Sequence, residues 1–219
     1  MMKETKRYIV RIPTSNLKDT HTSFIKGGFK CIAYENDYLL GWYLLENQII
    51  AIKECEDEYL SLVKYSTDSQ KEINNLDSKG IITNFQADEF GKHFESSFFD
   101  PGGTKILIAD YGDIPSEVLA IEESSSFELS IPSAYDFKDS VNFWYLLGFD
   151  INDTVPKPHP WASIIDIHFR IGIHQHFEWN SPGLCLSSAS SIKKAQFSEA
   201  KLRSNLYFSD FFSPFNQKR

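Results

Sequence analysis

The apolar positions of this chain fall into short strand-like runs interrupted by amphipathic stretches of helical period, and one such arrangement occurs twice. Tyr8 to Phe29 reads YIVRIPTSNLKDTHTSFIKGGF, and Phe127 to Phe149 reads FELSIPSAYDFKDSVNFWYLLGF. Ile12, Pro13, Lys18, Asp19, Phe24, Gly28 and Phe29 recur as Ile131, Pro132, Lys138, Asp139, Phe143, Gly148 and Phe149, with one residue added on the way. Each copy predicts a strand, a turn, an amphipathic helix and a Gly-Phe entry into the next strand. A repeat spaced by about half the chain predicts two versions of one domain.

In the first half, Arg7 to Pro13 reads as a strand, and Leu17 to Lys26 as a helix that starts after the cap residues Ser15 and Asn16. Cys31 to Glu35, Tyr38 to Leu45 and Gln48 to Glu54 form a meander, with Asn36-Asp37 and Glu46-Asn47 as the turns. That completes a βαβββ unit. A second follows, with strand Tyr59 to Tyr65, helix Asp68 to Lys79 closed by Gly80, and strands Ile81 to Phe85, Phe94 to Phe99 and Lys105 to Ala109. The second half predicts strand Glu128 to Pro132, helix Phe137 to Leu147, one long strand from Ser163 to Phe177, then Leu184 to Ser188 and a helix from about Ser191 to Arg203. Tyr207 to Phe212 leads into FFSPFNQKR, which lies on the earlier FFDPGGTKI and places the end of the chain before a last strand. The expected organisation is therefore a first domain over 1–110, a linker over 111–126 and a second domain over 127–219 that lacks its last strand.

Charge sharpens the division. The segment 111–126 carries Asp113, Glu117, Glu122 and Glu123, no basic residue and the run Ser124 to Ser126, the composition of an acidic linker. A net charge of -8 argues against nucleic acid as a partner, because affinity for phosphates comes from Lys and Arg. No apolar run reaches the roughly 18 residues of a membrane span, so no membrane partner is expected. Cys31, Cys55 and Cys185 are too few and too scattered for a disulfide framework, and a reducing cytoplasm is the expected compartment.

DFKDSVNFWYLLGF, the glycine-centred RIGIHQHF and FFDPGGTKILIAD together resemble the vicinal oxygen chelate superfamily, which includes glyoxalase I, bleomycin-resistance proteins and extradiol dioxygenases. The resemblance covers most of both halves. It implies an α+β chain in which tandem βαβββ units form cupped mixed sheets that hold a metal or a small ligand on their concave faces. Laid on the first domain, the superfamily's metal positions fall on Arg7, Ala51, Leu60 and Leu107; on the second they fall on Ser126, Gly172 and the neighbourhood of Ser181 and Pro182. None of these side chains is a metal ligand of the usual kind, so the metal centre is expected to be absent and no cofactor is assigned.

Alternation along strands then selects candidate ligand-binding residues. In the first domain it directs Arg7, Arg11, Lys53, Lys64 and Lys105 toward the vacant positions, a basic hollow suited to an anionic small molecule or, alternatively, a set of solvated strand ends. In the second, the even positions Asp166, His168, Arg170, Gly172, His174 and His176 share one face of the long strand and the intervening isoleucines the other. His168 and Arg170 read as ligand contacts, and His174 with His176 as the pair closest to sharing a metal, with Asp166 able to orient an imidazole. Trp42 and Trp161 are candidates for walls around a planar ligand or for ordinary core. The reading is a module that binds a small, anionic or aromatic molecule without a metal. Its rivals are a lyase, isomerase or dioxygenase using the histidine-rich strand, and a scaffold for a protein partner. The missing last strand would leave an open edge, from which a homodimer is expected.

Overall fold

The first strand is buried on both faces, which fixes it at the centre of a sheet with layers above and below. β1 (Lys6–Thr14) turns Tyr8, Val10 and Ile12 to one side and Arg7, Ile9 and Arg11 to the other. It runs parallel to β4 (Gln48–Glu54), with Arg11 opposite Ala51, and antiparallel to β5 (Ser61–Ser66), with Ile9 opposite Val63. This is a computed structural model, which describes residues 6–45, 48–87, 94–121, 127–157, 159–166, 169–175, 181–186 and 205–208.

Around β1 and β5 the first half builds an eight-stranded sheet, sheet A. It adds β2 (Lys30–Glu35), β3 (Leu40–Leu45), β6 (Asn84–Ala87), β7 (Phe94–Phe99) and β8 (Lys105–Asp110) in the order β2-β3-β4-β1-β5-β8-β7-β6. The two βαβββ units are thus joined through their first strands. α1 (Leu17–Lys26) starts where the Asn16 side chain accepts the Asp19 amide at 2.9 Å, and α2 (Ser69–Ser78) where Asp68 accepts that of Lys71 at 3.0 Å. Both helices pack on the Tyr8 face through Leu17, Phe24 and Leu76.

Sheet B repeats the pattern. β9 (Phe127–Pro132), α4 (Phe137–Leu146), β10 (Asp150–Val155), β11 (Trp161–Asp166) and β12 (Phe169–His174) form one βαβββ unit, and β13 (Gly183–Leu186) and β14 (Asn205–Phe208) complete the order β10-β11-β12-β9-β13-β14. The long strand expected from Ser163 to Phe177 is two antiparallel strands instead. The chain reverses between Asp166 and Phe169, and Trp161 lies opposite His174. The place of the last strand differs too. Asn205–Phe208 pairs in parallel with β13, as β8 does with β5, so the position expected to be vacant beside β13 is filled. The helix expected from Ser191 to Arg203 lies outside the described residues.

The helix-bearing faces of the two sheets share one apolar core. Tyr8, Val10, Leu62 and Ile106 of sheet A belong to the same cluster as Leu129, Ile131, Ile164 and Ile171 of sheet B. The Tyr8 ring lies 5.1 Å from that of Phe149 and 6.0 Å from that of Phe169. Each such side chain contributes about 1.5–3 kcal/mol when fully buried. Polar contacts fix the junction at its edge. The Trp144 indole donates to Asp100 Oδ2 at 3.1 Å, and the turn after Asp100 packs so tightly on β9 that a Cβ at Gly102 would lie 2.0 Å from the Pro132 carbonyl oxygen.

Candidate functional site

The concave face of sheet A is filled by the chain itself. The segment expected to be an open acidic linker carries Tyr111, Ile114, Val118, Leu119 and Ile121 onto Ile9, Trp42, Ala51, Val63 and Leu107, with α3 (Ser116–Leu119) as its helical turn. Arg7 fastens this strap, donating to the carbonyls of Val118 at 3.0 Å and Ile121 at 2.9 Å. Trp42 is wholly buried beneath it and donates its indole N–H to Glu35 at 2.7 Å.

The expected basic hollow is accordingly a set of ion pairs and backbone contacts. Arg11 makes a two-pronged contact with Glu95 at 2.5 and 3.0 Å, which holds the Arg11 guanidinium protonated despite its burial; the Glu95 carboxyl, pushed up by burial, ends below its ordinary range because Arg11 outweighs it. Lys53 donates to the Tyr38 carbonyl at 2.6 Å, and burial, ahead of the neighbouring Arg11, lowers its pKa. Lys105 pairs with Asp57 at 2.8 Å. Lys64 does not belong to this face. It points among the helices, where it pairs with Glu72 of α2 at 2.6 Å, both side chains buried.

Sheet B presents a different concave face. With Leu129 and Ile131 in the core, Glu128 and Ser130 of β9 point the other way; with Ile171 and Ile173 in the core, so do Arg170, Gly172 and His174 of β12. Register brings Ser163 beside Gly172 and Trp161 beside His174. The reversal between Asp166 and Phe169 resets the alternation. Asp166 is the partner of core-facing Phe169 and raises the pKa of Tyr8 on the helix side, so it lies on the opposite face from Arg170 and His174. His168 and His176 lie outside the described residues.

Gly172 sets the geometry. A Cβ there would meet Glu128 Oε1 at 2.2 Å and His174 Nε2 at 2.9 Å, so the space a side chain would take is occupied by these two groups. They approach each other to 3.9 Å, and the rings of Trp161 and His174 stand 6.3 Å apart. Burial pushes the Glu128 carboxyl up to about 7, against the opposing pull of Arg170 and a hydrogen bond from Ser130. Ser163 Oγ and Arg170 Nε are buried with no hydrogen-bond partner among the described residues. A carboxyl poised near neutrality beside an imidazole, with unmet donors close by, can exchange protons and hold a polar ligand.

Glu128, Ser130 and Ser163 were not among the residues the sequence singled out. Strand alternation in FELSIP carries the signal for the first two, since Leu129 and Ile131 must face the core. A separate open hollow of about 630 Å³ lies at the start of α4, lined by Tyr135, Phe137, Val141, Pro156 and Pro160. Asp136, Lys138, Asn142, Thr154 and Gln175 also line it, so its apolar surface is mixed with polar groups.

The structure superposes on a Mn(II)-bound glyoxalase from Novosphingobium aromaticivorans with a TM-score of 0.53, at 13% identity over 86% of this chain and 67% of that one. It superposes on 2,2',3-trihydroxybiphenyl 1,2-dioxygenase from Sphingomonas wittichii strain RW1 with a TM-score of 0.56, at 13% identity over 88% and 74% of the two chains. For a catechol 2,3-dioxygenase the values are 0.56, 13%, 87% and 72%. This is the vicinal oxygen chelate fold. No family model and no curated protein matches the sequence.

Of the positions that the resemblance assigned to a metal, Arg7 holds the strap, Ala51 and Leu107 lie in the cluster beneath it, and Leu60 is in the core on the helix side. Gly172 is covered by Glu128, and Ser126 lies outside the described residues. Among the described residues no three His, Cys, Asp or Glu side chains converge. Glu128 and His174 make two, and the nearby charge of Arg170 opposes a cation. The described set does not fit a divalent metal. Among the described residues no helix is long and apolar enough to cross a membrane.

Proposed function

We propose that this chain is a glyoxalase/bleomycin-resistance-like module that binds a small molecule on the concave face of sheet B, without the superfamily's metal. One observation carries the reading: Glu128 and His174 converge over Gly172, next to the unmet polar atoms of Ser163 and Arg170. The strap supports it by covering the equivalent face of sheet A, which directs a ligand to sheet B. Trp161, buried beside His174, offers an aromatic wall there. In this reading His174, Arg170 and Trp161 are the proposed ligand contacts, while Arg7, Arg11, Lys53 and Trp42 serve the closed face of sheet A.

Native mass spectrometry with metal analysis of the same sample tests this. A retained small-molecule mass on a metal-free chain supports the module; stoichiometric zinc, iron or manganese overturns it. The spectrum also reports subunit number; with the place beside β13 filled, a homodimer is proposed through the edge at β14, the outer strand of sheet B among the described residues, and cytoplasmic residence is proposed alongside.

The Glu128 carboxyl near neutrality favours a second reading, an acid–base enzyme of the lyase or isomerase type in which Glu128 and His174 exchange protons with the bound molecule. Glu128→Gln separates the two. An enzyme loses turnover by about 10²-fold or more with substrate affinity kept, whereas a binding module shows only a change in affinity.

A further inference from the structure

We propose that the ligand of sheet B's concave face is a carboxylate-bearing small molecule, received by Arg170 Nε and Ser163 Oγ, and that one proton is taken up with it onto Glu128. The proposal rests on the reading of this face as the binding site and names what it would bind.

Unmet donors supply the first reason. Ser163 is only 2% exposed, its hydroxyl lacks a partner among the described residues, and its register neighbour Gly172 has no side chain to offer one. Arg170, two residues along β12, leaves a buried guanidinium N–H without an acceptor. Buried donors of this kind stay uncompensated until an acceptor arrives, and an anionic acceptor returns the most. An amine would bring positive charge beside Arg170 with no acceptor for these donors.

Glu128 supplies the second. Its carboxyl lies over Gly172 in the same patch, so an incoming carboxylate meets it as a like charge unless it is protonated. Protonated, it donates a short hydrogen bond to the anion, and two carboxyl groups then share one proton. The groups facing Glu128 are Arg170 and His174 from β12, with Ser130 on its own strand. By register its neighbour on β13 is Cys185, whose partner on β14 is Tyr207. Arg170 pulls the carboxyl down, burial raises it further, and the balance near 7 keeps the proton available at neutral pH. The reaction balances simply: carboxylate plus one proton from solvent binds, and nothing is oxidised or reduced.

The test is isothermal titration calorimetry of the full chain with acetate, benzoate and phenylacetate, and with benzamide and benzylamine as neutral and cationic counterparts. Each titration is run from about pH 6 to 8 in two buffers of different ionisation enthalpy. Expected are carboxylate binding with uptake approaching one proton at the alkaline end, and affinity falling about tenfold per pH unit above about 7. Glu128→Gln should keep binding but abolish both the uptake and the pH dependence, which excludes His174 and Cys185 as their source. Arg170→Met should weaken binding about tenfold or more. Benzamide or benzylamine binding as tightly as benzoate, uptake unchanged in Glu128→Gln, or no carboxylate binding at about 10 mM overturns the proposal. A retained neutral ligand in the mass spectrum alongside failed carboxylates overturns it while leaving the concave-face reading intact. A chain that retains nothing and binds none of the probes removes both.

Discussion

Asp100 sits at the junction between the two sheets, 4% exposed, with Thr104 N–H donating to one oxygen at 2.6 Å and the Trp144 indole to the other at 3.1 Å. Burial raises its carboxyl from an ordinary 3.8 to about 6, although the Thr104 amide, the Trp144 indole and the Gly102 amide all favour the charged form. A shift of about two units corresponds to about 3 kcal/mol at 1.36 kcal/mol per unit. The sign follows from proton counting. Between about pH 4 and 6 the folded protein holds this proton and the unfolded chain does not, so folding stability falls as pH rises through that window and stays lower above it. Asp100→Asn removes the titration. Its amide oxygen can still accept from Thr104, but its NH2 meets the Trp144 N–H donor against donor, a loss of about 1–3 kcal/mol that applies at every pH. Urea unfolding of both proteins at a series of pH values between 4 and 7 gives the comparison. The unfolding free energy of the wild type minus that of Asp100→Asn should shrink by about 3 kcal/mol across the series, and other groups, Glu128 included, cancel in the difference. Parallel stability curves would refute the argument, because they mean that the carboxyl is solvated. Trp144→Phe, which deletes a bond to the charged form, should move the window to higher pH.

Gly102→Ala drives a methyl into the Pro132 carbonyl and should cost about 1–3 kcal/mol in urea unfolding. Gly80→Ala, strained at φ 78° but with nothing within 4 Å, should cost about 1 kcal/mol. Lys64→Met strands the buried Glu72 carboxylate and should destabilise by about 3–5 kcal/mol; adding Glu72→Leu should recover most of the loss, and a double variant no better than the single would show that the pair is not coupled. Arg7→Ala frees the last carbonyls of the strap, and limited proteolysis should then cut within 111–121 several-fold faster; an unchanged rate would mean that the apolar contacts alone hold it.

Much of the frame was legible because it is written in turn and cap residues. The shared Ile-Pro, Lys-Asp and Gly-Phe pairs locate the start of each half, and Asn16, Asp68 and Asp136 stand at the starts of α1, α2 and α4. The reversal between Asp166 and Phe169 was missed, since the only turn-forming residue in IDIHFR is Asp166, which the alternating isoleucines drew into a strand pattern. Reading alternation straight through it transferred Asp166 to the wrong face. β10 is exposed along its length, and its DINDTV gives no apolar period to read. The strap was hidden by composition. Its acidic and serine residues suggested a linker, yet Ile114, Val118 and Ile121 already stood at helical spacing. Lys64 was placed wrongly because alternation set it on the same face as Leu60, which itself faces the helices, where Glu72, eight residues later, meets Lys64.

The strap makes sheet A its own occupied receptor. A tethered segment reaches its site at an effective concentration of order 1 mM without leaving the molecule. Any free competitor must overcome that local excess as well as the interactions of the buried Ile114 and Val118 side chains. Metabolites of ordinary cellular abundance and micromolar affinity would therefore be kept off the covered face of sheet A. The peptide that joins the halves thus makes the two sheets inequivalent, since it closes the face of sheet A with its own Ile114 and Val118.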